Sequence, residues 1–158
     1  MSSGRRIALV VNKILLLLLI ISACRPAPLP DPPVGLQPGR LVAAQDLFGT
    51  FFTYLPMSAP AGLEVLVLVH GTPKDGSPKV IAGELVSRWV DFAEQHGILL
   101  IAPAFNQEDF SSLLGDRALG GYRGLFGRQI GADAWVLRLV RAHQAALGSA
   151  AEPFYLYG

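Results

Sequence analysis

The chain has 158 residues, 51% apolar and 16% charged, with a formal net charge of +1. That is chain enough for one ordinary domain with a sizeable core, and it shows no basic patch of the kind a nucleic-acid partner requires. A single cysteine excludes an internal disulfide and a cysteine-rich metal site, and nothing in the composition implies a cofactor.

Positive charge opens the chain at Arg5, Arg6 and Lys13. Ile14 to Ala23 follows as an uncharged, mostly apolar run. A basic segment, a short apolar segment and small residues before a cut site describe a secretory signal peptide over 1–23. The apolar run is shorter than the roughly 20 residues that cross a bilayer comfortably. Ile21-Ser22-Ala23-Cys24 resembles the lipobox of bacterial lipoproteins. That resemblance implies cleavage behind Ala23, lipidation of Cys24, and a lipid anchor holding the exported protein to the membrane of the bacterial cell envelope. The competing reading is a plain signal anchor, stretched back through Ile7 and containing Asn12 and Lys13. Beyond Cys24 there are 10 basic and 12 acidic residues, so the mature part is slightly acidic.

Residues 24–40 are Pro-rich, with Pro26, Pro28, Pro30, Pro32, Pro33 and Pro38. Proline at that density forbids helix and favours an extended, semi-rigid tether. The globular part is expected over 41–158. Leu47 to Leu55 is aromatic and Thr-rich, bounded by Pro56, and reads as a strand. Glu64 to Val69 is a continuous apolar run after its first residue, a strand that wants burial on both faces. It stops at His70-Gly71-Thr72-Pro73. Ligand sites of open α/β sheets lie at the carboxyl ends of such strands.

Ser77 suits an N-cap and Pro78 a first helical position. Ile81, Leu85, Trp89 and Phe92 follow at helical spacing, and Gly97 is placed to stop the helix. Ile98 to Ala102 reads as a second buried strand, closing a βαβ unit. Asn106 to Gly131 is a long Gly-rich connection without a phosphate-loop pattern, which disfavours a nucleotide-binding domain. Asp133 to Leu147 is predicted as a second helix with Trp135, Val136, Leu139, Val140 and Leu147 as its apolar stripe and Gln144 opposite. His143 is read as a helix flank. Phe154 to Tyr157 reads as a third buried strand, followed by Gly158.

A strand ending in His70-Gly71-Thr72-Pro73, a βαβ unit, and a later helix feeding Tyr155-Leu156-Tyr157-Gly158 together resemble the N-terminal portion of an α/β-hydrolase. The secreted esterase or polyhydroxyalkanoate-depolymerase-like sort is the nearest match, with Leu47 to Pro56 like its early strand. The resemblance implies an α/β class, a mostly parallel sheet flanked by helices, and strand order 1-2-4-3-5. It implies an ester, small-molecule or polymeric, as the substrate of the full-length protein. The Thr72 backbone N–H would serve the oxyanion hole. His70 would hold the turn with Gly71 and Pro73 rather than act as base, or simply cap it. Gly158 would open the G-x-S-x-G nucleophile elbow, so the chain is expected to stop before the serine and to lack the family's acid and base. Ser77, Ser87, Ser111, Ser112 and Ser149 have no G-x-S-x-G context, and no other complete catalytic set is found. The alternative is a non-catalytic, membrane-tethered α/β lipoprotein with an interaction role.

Overall fold

The computed structural model describes residues 34–60, 62–71, 77–106, 110, 130–149 and 153–158. The signal segment, Cys24 and most of the Pro-rich tether lie outside the described residues, as do Thr72 and Pro73 and nearly all of the connection from 107 to 129. What is described belongs to the unit Asp31–Gly158.

Five strands form one mixed sheet in the order β1-β2-β4-β3-β5. They are β1 (Leu41–Gln45), β2 (Thr50–Tyr54), β3 (Glu64–Leu68), β4 (Ile98–Pro103) and β5 (Phe154–Tyr157), with α1 (Pro78–His96) between β3 and β4 and α2 (Ala132–Ala146) between β4 and β5. This is an α/β fold. The expectation of a mostly parallel sheet needs correcting. β3 runs parallel to β4 and to β5. β1 pairs with β2, and β2 with β4, in the antiparallel sense. The difference is the hairpin β1–β2. Its loop is tied by Asp46, whose Oδ1 accepts the Phe48 and Gly49 N–H groups at 2.8 and 3.0 Å. Residues 47–49, which read as strand from sequence, are that loop, and β1 is a strand that carries no clear strand signal of its own.

Alternate strand residues point to opposite faces, and each face has its own core. Val65, Val67, Leu99, Ile101 and Phe51 pack with Trp135, Val136, Leu139 and Val140 of α2. Leu66, Leu68, Leu100, Ala102 and Tyr54 pack with Ala82, Val86 and Ala93 of α1. The two helices therefore cover opposite faces of the sheet.

The ends of α1 follow the sequence signals. Ser77 accepts the Lys79 N–H, Pro78 occupies the first turn, and Gly97 adopts φ 64°, ψ 43°. Its buried ridge differs from the expected one. Small residues, Ala82, Val86 and Ala93, face the sheet. They let the helix approach closely, and a Cβ at Gly83 would sit 3.2 Å from the Phe52 ring. Ile81, Leu85 and Trp89 lie on the flank, and Phe92 is 38% exposed.

In α2 Trp135, Val136, Leu139 and Val140 of the expected stripe are buried, whereas Leu147 is the half-buried C-cap; His143 and Gln144, expected on the flank and outer side, are buried as well. β5 takes the edge position that the expected order gives it but departs from the expected burial. It is an edge strand, and all four of its residues are exposed.

Candidate functional site at the carboxyl edge of the sheet

Strand direction decides which loops meet. β3, β4 and β5 are parallel, so Val69 to Gly71, Ala104 to Asn106 and Gly158 emerge on one edge. β2 runs the other way, with Phe51 opposite Pro103, so the β1–β2 loop lies on that edge as well. From β3 the chain leaves toward α1 on one face, and from β4 toward α2 on the other. The chain then crosses back past β3 to reach β5, so the strand order reverses in 4-3-5 and the topological switch point, where ligands of open α/β sheets bind, lies at β3 on its β5 side.

His70 stands at that point. It is 2% exposed, and its ring joins the two loops. Nε2 accepts the Phe105 backbone N–H at 3.0 Å. An acceptor nitrogen carries no proton, so the proton of the neutral ring is on Nδ1, which donates to the Gly71 carbonyl at 2.8 Å. Burial holds the imidazole below its ordinary range, against the opposing pull of the Gly71 carbonyl. The ring lies 6.0 Å from Phe105, which meets Phe110 and Trp135 edge-on at 5.0 and 5.5 Å. With both nitrogens committed to backbone groups, His70 positions loops and is not poised to abstract a proton.

Two glycines border this point. A Cβ at Gly71 would meet nothing within 4 Å among the described residues. A Cβ at Gly158 would come within 3.1 Å of Val69 Cβ and 3.2 Å of its carbonyl oxygen. The chain leaving β5 passes that close to the end of β3, and the Val69 N–H bonds the Tyr157 carbonyl at 2.7 Å.

Of the residues singled out from sequence, His70, Gly71 and Gly158 share this edge. Val69, His70, Gly71, Tyr157 and Gly158 line one hollow of about 230 Å³ on the α1 side. Thr72, Pro73 and Cys24 lie outside the described residues. Ser77 is the N-cap of α1. Ser87 bonds the Gly83 carbonyl and Ser149 the Gln144 carbonyl. On the α2 side an apolar groove of about 800 Å³ runs between α2 and β5, lined by Val69, Phe105, Val136, Leu137, Phe154 and Leu156 among others. Sequence reasoning missed the second bond of His70, to Phe105, because nothing local marks a contact 35 residues away. Among the described residues no group of three His, Cys, Asp or Glu side chains is placed to hold a metal, and no helix is long and apolar enough to cross a membrane.

The architecture, a mixed five-stranded sheet with two helices, places the chain in the α/β class. No protein-family model and no curated protein matches it. A solved structure similar to it is that of poly(aspartic acid) hydrolase-1 from Sphingomonas sp. KT-1, at 16% sequence identity and a TM-score of 0.48 over 83% of this chain and 48% of that one. The chain thus spans about half the length of that hydrolase.

Proposed function

We propose that this chain is the N-terminal portion of an exported, lipid-anchored ester hydrolase of the α/β-hydrolase type. The observation that carries the reading is the convergence of His70-Gly71 and Gly158 on the carboxyl edge of a sheet ordered β1-β2-β4-β3-β5. That order is the one the family resemblance implies.

The chemistry is acyl transfer. A serine oxygen attacks the ester carbonyl, the alcohol leaves, and water then releases the acid. This chain would contribute the receiving end for negative charge. The backbone N–H of Thr72, at the exit from β3, is the donor for the oxyanion, worth about 3 kcal/mol to the transition state in a dry site. His70 fixes the loop that carries it, through the Phe105 amide and the Gly71 carbonyl. Gly158 occupies the start of the nucleophile elbow. The 158 residues contain no G-x-S-x-G sequence and supply no complete nucleophile, acid and base. Reading the gene beyond Gly158 tests this. The proposal requires any residue, Ser, any residue, Gly, and requires that serine to be the site of labelling by a fluorophosphonate.

Anchoring is the other half of the proposal. Cys24 carries diacylglycerol after cleavage behind Ala23, on the strength of Ile21-Ser22-Ala23-Cys24 and the proline tether behind it. Detergent phase partitioning of wild type and Cys24→Ala decides it. A variant that remains equally membrane-bound and uncut contradicts lipidation. A second reading, a tethered interaction module without catalysis, draws on the exposed and uncharged β5.

A further inference from the structure

His70 does more than fill a turn. It spans the gap between the loop after β3 and the loop after β4, and it does so through one lone pair. The Phe105 N–H points at Nε2, and the Gly71 carbonyl takes the proton of Nδ1. A second proton has only Nε2 to go to. Once there, it sets an N–H against the Phe105 N–H, two donors face to face, while the Gly71 bond survives. We propose that His70 is a proton-sensitive latch: the neutral imidazole joins the β3 and β4 loops beside the switch point, and protonation at Nε2 parts them. Its bearing on catalysis rests on the hydrolase reading above, because the parted loop is the one leading to Thr72.

The surroundings set where the latch opens. Among the described residues, the charged groups toward α1 are Glu84 and Arg88, which line the same hollow. They pair with one another at 3.7 Å and are both largely exposed. Tyr157 is the titratable group from β5. On the α2 side Asp133 shares a groove with Val69 and Phe105. The β4 loop presents the amide and ring of Phe105. Burial is the dominant influence on the ring and favours its neutral form. The latch is therefore shut at neutral pH and opens as pH falls through a midpoint below the ordinary histidine value of about 6.5.

Amide exchange reads the latch without any need for activity, so failure of the latch and failure of the hydrolase reading are separate results. Protection of the Phe105 amide, corrected for intrinsic exchange, is followed by NMR from about pH 7.5 to about pH 5. The ¹⁵N shift of the His70 ring is followed in the same samples. The expected result is a loss of about tenfold, the equilibrium worth of one hydrogen bond. It occurs at the midpoint where Nε2 gains its proton, while the sheet amides of Val67 and Ile101 keep their protection. In His70→Gln, which offers a carbonyl oxygen and cannot titrate, the pH dependence of Phe105 disappears. The proposal is overturned by Phe105 protection that does not change with pH. It is equally overturned by loss in step with Val67 and Ile101, by a His70 midpoint that does not coincide, or by unchanged pH dependence in His70→Gln.

Discussion

Asp46 satisfies three donors with one carboxylate. Oδ1 takes two amides of the hairpin loop, and Oδ2 takes the Trp135 indole N–H at 2.9 Å. One side chain thus shapes the β1–β2 turn and pins it to α2. Asp46→Ala is expected to cost about 2–3 kcal/mol, because a buried indole N–H loses a charged acceptor. Urea unfolding measures it, and a cost under about 0.5 kcal/mol would show the tie to be dispensable. His143 is a different case. It is fully buried, Nδ1 donates to the Leu139 carbonyl at 2.7 Å, and Nε2 has no partner among the described residues. Burial holds its pKa below the ordinary value. The unfolded chain therefore binds more protons than the folded one once pH drops below about 6.5, and stability falls from there toward the folded pKa. His143→Leu should keep neutral-pH stability within about 1 kcal/mol, since no polar atom is stranded. It should also flatten the acid limb of a stability-against-pH curve; an acid limb identical to wild type would exclude His143 as a contributor.

Among the elements, those with strong local signals were legible in the sequence. The ends of α1 follow from Ser77, Pro78 and Gly97, and β3 and β4 follow from unbroken apolar runs. What was not legible depends on tertiary neighbours. β1 reads as nothing in particular because LVAAQ carries a single β-branched residue, and it becomes a strand by pairing with β2. The ridge of α1 was misplaced because large side chains mark a helical stripe in sequence, whereas close packing on a sheet selects alanine. The flank left over is aromatic: Trp89 lies 4.7 Å from Tyr157 and 5.2 Å from Phe92. In the site, His70 was legible as a turn residue, while its bond to Phe105 required the β3–β4 pairing. The cap of α1 offers a direct check. Gly97 is left-handed, and a Cβ there would come 2.9 Å from Pro60. Gly97→Ala should therefore destabilise by about 1–2 kcal/mol. A neutral substitution, measured by thermal unfolding, would mean that the helix ends differently in solution.

Across the sheet of these 158 residues, β4 and β3 are buried and β5 is not. Phe154, Tyr155, Leu156 and Tyr157 are 38, 48, 64 and 50% exposed, with no charge on the strand to discourage pairing. Such an edge is a template for association. Leu156→Lys is expected to reduce concentration-dependent association in sedimentation velocity, with little change in stability because Leu156 contributes little to the core. Wild type that sediments as a monomer at high concentration would contradict this. The same edge strand leads into Gly158, where the proposed chemistry begins. One comparison tests the proposed hydrolase most directly: hydrolysis of a p-nitrophenyl ester by the purified 158-residue chain and by a product of the same reading frame that continues past Gly158. The prediction is saturable turnover from the longer product and none above buffer from the 158 residues. Saturable turnover from the 158 residues, or none from the longer product, would contradict it.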